Sequence, residues 1–355
     1  MDSKNDIIVY GAGSLGKATI KFLNNAYRHV KYIVDRNENL RHTFSDDIEI
    51  ICPEDLLETD KRECDILVCI SAVPYFQVED YLKDIGCRKV YIGGDYIQSL
   101  YSQNLFANIW SLDSANYELL KKNDLDNWKD SDSKLQYKIA LEWFYSRDER
   151  VVLPQDWNLN REKYFPDFIR ALLRKDDIMV DTSILNGEYI DKFLNLTSDY
   201  GKVYGFCLNP NVISYDHLLE RYQIYENVNI FDVEIGECNN HQSYMKLGLM
   251  EPYTEFVNHE CTIRNIDNLF DDKMFSFLRM YSMNPILPII QGGKECIIRY
   301  RPLIAANIGH YCEDFIKVPQ LLASMLKDYR FYFRIHSYQG NDCIMYAIPN
   351  ERIES

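Results

Sequence analysis

Short apolar runs alternate with amphipathic helical patterns twice along this chain of 355 residues. Few architectures tolerate that rhythm. Strands covered on both faces by helices pair in parallel, so each block predicts a doubly wound α/β sheet. In the first block, Ile7–Tyr10, Val30–Val34, Asp65–Ile70 and Lys89–Ile92 read as strands. Between them, Ala18, Ile20, Phe22 and Leu23 mark a helix, Pro53-Glu-Asp-Leu-Leu opens a second with proline and acids in its first turn, and Val78–Ile85 reads as a third.

Residues 101 to 163 lose the alternation; Asn116–Leu125 and Ser133–Ser146 read as connector helices. The rhythm returns at Tyr164, with a helix at Pro166–Leu173, a strand at Ile178–Asp181, a helix at Tyr189–Leu196 and a strand at Lys202–Phe206. Further strands follow at Val228–Val233, Phe275–Met280 and Leu303–Asn307, then a helix at Val318–Leu326. Phe331–Ile335 and Cys343–Ala347 read as a closing antiparallel hairpin. The expected organisation is a Rossmann-like nucleotide-binding-type domain over 1–100, a helical connector over 101–163 and a second Rossmann-like domain over 164–355.

Composition narrows the function. A net charge of −15 argues against a broad nucleic-acid surface, which needs clustered Lys and Arg. No apolar run approaches the ~20 residues that span a bilayer, so no membrane insertion is expected. The ten cysteines are scattered without zinc spacing; they read as reduced thiols in a cytoplasmic protein, with no metal site. Self-association into a homo-oligomer is left open.

Two loops carry candidate chemistry. Gly11-x-Gly13-x-x-Gly16 follows a strand and opens a helix, the setting of a dinucleotide fingerprint. The first glycine makes the turn, the second lets a phosphate approach, and the third allows helix and strand to pack. Asp35 closes the next strand, where a ribose-binding acid would stand. A nucleotide on this loop and a loop that merely builds the turn are both open readings. The second loop, Asp181-Thr-Ser183-Ile-Leu-Asn186-Gly187, follows an apolar strand at a position where an α/β domain places a ligand.

From Tyr164 onward, several short motifs occur in order: Val180-Asp181-Thr-Ser-Ile-Leu-Asn186-Gly187-Glu188, Val203-Tyr-Gly-Phe-Cys207-Leu-Asn-Pro210, Asn227-Val228 through Glu234-Ile-Gly236, and Asn265-Ile-Asp267-Asn-Leu269. Arg301-Pro302-Leu, Asn307-Ile-Gly-His310, Tyr332-Phe333-Arg334 and Met345-Tyr346-Ala-Ile-Pro349 complete the set. Together they resemble the FkbM-type S-adenosylmethionine-dependent methyltransferases over most of residues 132–350. The resemblance implies a methyltransferase-like fold and methyl transfer to a hydroxyl of a small molecule or glycan, in the setting of surface-sugar modification. It places the cofactor against Asp181, Ser183, Asn186, Gly187, Cys207, Glu234 and Tyr281.

Departures from the family pattern cluster on that same site. Ser183 and Ile184 stand for Gly-Ala, and Cys207 stands for the carboxylate that takes the ribose hydroxyls. With the central strand aligned without a gap, Tyr281, Met283 and Ile286 replace three carboxylates and Arg279 replaces a lysine. These changes predict weak or absent S-adenosylmethionine binding. His310 is the nearest titratable candidate for a base, with a satisfied strand-end histidine as its alternative. Three functions stay open: a methyltransferase, a non-catalytic binding or assembly protein derived from that family, and a module for NAD or a sugar nucleotide.

Overall fold

A computed structural model describes residues 5–25, 27–59, 63–70, 75–92, 112–123, 127–146, 149–152, 163–206, 215–247, 256–282, 285–337 and 342–353. The chain divides into two compact units, Met1–Phe106 with Tyr244–His259, and Ala107–Ser243 with Glu260–Ser355.

In the first unit, β1 (Ile7–Tyr10), β2 (Val30–Val34), β3 (Phe44–Ser45), β4 (Ile48–Ile51), β5 (Asp65–Val68) and β6 (Lys89–Ile92) form one sheet ordered β3-β4-β2-β1-β5-β6. All neighbours are parallel except the short β3–β4 pair. Helices α1 (Ser14–Asn25) and α2 (Tyr75–Asp84) accompany it. Ile7 and Val9 feed one core while Ile8 and Tyr10 feed another, so the strand is buried on both faces, as the unbroken apolar run requires. The expected helix at Pro53 is a single 3-10 turn, Pro53–Leu57.

The second unit opens with α3 (Ser114–Asn123), α4 (Ser131–Ser146) and α5 (Asp167–Arg170). Its main sheet begins at β7 (Ile178–Asp181), followed by α6 (Glu188–Leu196), β8 (Lys202–Phe206), α7 (Tyr215–Tyr222) and β9 (Val228–Phe231). Next come β10 (Glu234–Ile235), β11 (Asn240–Leu247) and β12 (Phe256–Arg264), ordered β10-β12-β11 in a separate three-stranded sheet; the residues of β11 and β12 that lie within Tyr244–His259 count with the first unit. The chain then builds α8 (Ile266–Leu269), β13 (Phe277–Met280), α9 (Leu287–Gly292), α10 (Lys294–Tyr300), β14 (Leu303–Asn307) and α11 (Cys312–Met325). It closes with β15 (Tyr329–Ile335), β16 (Cys343–Pro349) and α12 (Asn350–Ile353).

The main sheet runs β15-β16-β14-β13-β7-β8-β9. It is parallel from β14 to β9, and β16 and β15 add the antiparallel closing hairpin expected from the sequence. From β7 the chain winds outward through β8 and β9, and β13 and β14 wind the other way. The order therefore reverses between β7 and β13, and at such a switch point the strand ends frame a crevice. Alternation divides the core: Met179, Phe277 and Ala305 face one layer, and Val180, Leu278 and Ala306 face the other.

Candidate functional site

Asp181 ends β7, and its register partner on β13 is Arg279. Register partners on adjacent strands share a face, so the two side chains meet across the switch point. Arg279 Nη1 donates to Asp181 Oδ1 and, at 2.9 Å, to the carbonyl of Ser183. Both side chains are 0% exposed. The guanidinium carbon lies 4.1 Å from the Tyr164 ring centre, 4.0 Å from that of Tyr189 and 5.7 Å from that of Tyr281. Burial pushes the Asp181 carboxyl up and the Arg279 charge opposes it. Burial pulls Arg279 down, but Asp181 and the two tyrosines outweigh it, so its pKa stays raised. Five buried polar atoms without a protein partner gather here: Arg279 Nε and Nη2, Asp181 Oδ2, Ser183 Oγ and Tyr164 Oη.

The loop after β7 is closed upon itself. Thr182 N–H donates to Arg279 O, Ser183 N–H to Asp181 Oδ1, Ile184 N–H to Phe206 O and Gly187 N–H to Ile184 O. Glu188 N–H donates to the side chain of Asn186, which is exposed at the turn. Ile184 is buried against β8, where a Cβ on Gly205 would come within 2.5 Å of its methyl group. Gly187 caps α6 with φ of 84°. A Cβ there would lie 2.2 Å from Tyr222 Oη, which donates to the Gly187 carbonyl. Helix packing thus accounts for Gly187.

Tyr281 links this pair to a second cluster along the same carboxyl edge. Its ring meets His310 edge-on at 4.9 Å, and Lys163 Nζ lies 5.4 Å from its centre. Lys163 is ion-paired with Asp342, which also accepts from Asn307 Nδ2 at 3.1 Å. Lys163 and Asp342 keep 13% and 20% of their side-chain surface, so this cluster reaches solvent where the Arg279 pair does not. Burial lowers the pKa of Lys163 against the pull of Asp342. For Asp342, burial is overcome by Lys163 and the two nearby histidines, and the carboxyl is held low. His310 is half-buried, and burial brings its pKa down to about 4. His336, buried and bonded to Tyr346 Oη at 3.0 Å, is likewise near 4. Both imidazoles are neutral at pH 7.

Of the residues singled out in the sequence, Asp181, Ser183, Tyr281 and His310 are brought together. Glu234 is buried in β10 of the separate three-stranded sheet. Cys207 and Met283 lie outside the described residues. Sequence reasoning missed Lys163, Tyr164, Tyr189 and Asp342 as site residues, and took Arg279 only as a substituted lysine. A hollow of about 240 Å³ is lined by Leu219, Tyr222, Val228 and Ile230, of α7 and β9.

In the first unit, Gly11 has φ of 118° and its Cβ would stand 2.4 Å from the Cys69 carbonyl; a Cβ on Gly16 would stand 1.8 Å from that of Gly11. Gly13 faces open space, with nothing within 4 Å. Asp35 already accepts from Ala12 N–H at 2.8 Å and Asn37 N–H at 2.9 Å.

No family model matches the chain, and no curated protein matches it by sequence. Among solved structures it is similar to the methyltransferase FkbM from Methylobacillus flagellatus KT, at 16% identity and a TM-score of 0.70, covering 97% of this chain and 90% of that one. Partial similarities include precorrin-6y C5,15-methyltransferase from Geobacter metallireducens GS-15, at 12% identity and a TM-score of 0.32, covering 54% of this chain and 92% of that one. Another is RSP in complex with beta-NADH, at 24% identity and a TM-score of 0.22, covering 24% of this chain and 44% of that one. The FkbM methyltransferase fold expected from the motifs is the fold of this chain.

Proposed function

We propose that the chain is a methyltransferase-fold binding protein that has given up S-adenosylmethionine and recognises a small polar molecule or glycan at the carboxyl edge of its second sheet. The buried Asp181–Arg279 pair carries this reading. S-adenosylmethionine brings a sulfonium and an ammonium, and the loop carboxylate that would receive positive charge is already paired with an internal cation. With Arg279 neutralising Asp181, a second cation at this place finds little net attraction. The loop N–H groups of Thr182, Ser183, Ile184, Gly187 and Glu188 all have intramolecular acceptors. The described residues therefore do not fit this cofactor.

Beside the sealed pair, Lys163, Asp342, His310 and Tyr281 supply donors, acceptors and an aromatic ring at a half-buried edge. Such a mixed set suits a hydroxyl-bearing ligand. Thermal shifts with monosaccharides, sugar nucleotides, S-adenosylmethionine and S-adenosylhomocysteine test the proposal. A sugar-class ligand should raise the melting temperature, and Lys163→Ala or His310→Ala should remove the rise. A rise with both adenosyl compounds and none with sugars would sink it. Hydroxyl methylation, the alternative reading, finds a weak base here: burial brings His310 down to about 4, so at pH 7 its imidazole is neutral but takes a proton poorly.

A further inference from the structure

We propose that Arg279 is a built-in occupant of a cation cage, and that the cage takes a free guanidinium-type cation once this side chain is cut back. The proposal rests on the reading that the Asp181 loop does not hold a cationic cofactor. The walls come from elements other than the one that carries Arg279. Tyr164 precedes α5, Tyr189 lies on α6, and Asp181 ends β7. Their rings stand 4.1 and 4.0 Å from the guanidinium carbon, the geometry in which an aromatic face attracts a cation. The Asp181 carboxylate supplies the countercharge and the Ser183 carbonyl a further acceptor.

Arg279 is also out of place in its strand. Phe277 shares its face of β13 and packs into an apolar layer, so alternation calls for an apolar residue at 279. The side chain that stands there is bonded through Nη1, while Nε and Nη2 meet no protein acceptor and Asp181 Oδ2 meets no donor. The cage is thus complementary in charge and shape to a planar organic cation, and it is not saturated by the one it holds. An external guanidinium-type cation therefore competes with a tethered one, and an alkylammonium or sulfonium, which lacks the planar shape, fits less well.

Arg279→Ala tests the assignment directly. Unfolding is followed by tryptophan fluorescence, since Trp128 and Trp143 are buried in the second unit. The variant should melt well below the wild type at pH 7. Methylguanidinium chloride at about ten times its dissociation constant should then raise its melting temperature by roughly 3–5 °C, with no rise in the wild type or with equimolar sodium chloride. Asp181→Asn in the Arg279→Ala background should abolish the rise. Absence of the rise, or its survival in the double variant, overturns the proposal. If Arg279→Ala is insoluble, its refolding yield with and without methylguanidinium is read instead, with the same outcomes. Titrating the wild type with S-adenosylmethionine separates the two claims: binding there defeats the reading of the pocket, whereas a failed rescue defeats only the cage.

Discussion

Breaking the Asp181–Arg279 pair from either side has unequal consequences, and both follow from the geometry. Asp181→Asn keeps an acceptor for Ser183 N–H and leaves Arg279 bonded to Ser183 O between two tyrosine faces. Arg279→Met keeps a carboxylate with no exposed surface and only one backbone N–H as partner. Removing one member of a buried pair costs about 3–5 kcal/mol. The asparagine variant should fall near 3 and the methionine variant near 5. Asp181→Asn/Arg279→Met removes both charges, and its loss should stay well below the sum, at about 2 kcal/mol or less, because apolar or neutral replacement of a whole pair is close to neutral. Urea unfolding read by tryptophan fluorescence measures all three. The methionine variant should also recover as pH falls. Burial already raises the Asp181 carboxyl, and losing Arg279 removes the charge that opposes this. A raised carboxyl contributes stability below its unfolded pKa near 3.9 and loses it as pH rises through the folded value. Losses that add to within ~0.5 kcal/mol would refute the coupling.

Two further predictions concern other parts of the chain. Gly11→Ala and Gly16→Ala should each destabilise the first unit while Gly13→Ala leaves its melting unchanged, since only the first two meet backbone atoms. If a nucleotide sits on this loop, Gly13→Val should erase an NAD-induced thermal shift without lowering the starting melting temperature. As for pH, His336 is near 4 folded against about 6.5 unfolded. The unfolded chain therefore binds the extra proton, and up to about 3 kcal/mol is lost as pH falls from roughly 6.5 to 4. In His336→Gln that slope should shrink, as denaturation midpoints across this range will show; an unchanged slope contradicts it.

Much of the fold was legible because it rests on short-range pattern. Ile178–Asp181, Lys202–Phe206 and Leu303–Asn307 match their expected strands, since apolar runs bounded by turns carry their own signal. The helix expected from Val318 begins at Cys312 because Pro319 is tolerated inside it. Helices α7, α9 and α10 and the strands β11 and β12 were missed, being short or poor in periodic apolar residues. The site was less legible for a different reason. Asp181 and Arg279 are 98 positions apart, and Lys163 and Asp342 are 179 apart. Only the register of β13 on β7 brings the first pair together. One signal was present in the sequence: a charged residue at 279 on the same strand face as Phe277.

Isothermal titration of the wild type with S-adenosylmethionine and S-adenosylhomocysteine tests the central claim most directly. With Asp181 paired internally, neither should give saturable heat up to millimolar concentration. Saturable binding of both with a dissociation constant below about 100 μM, roughly −5.5 kcal/mol, would contradict the claim that this pocket has given up its cofactor.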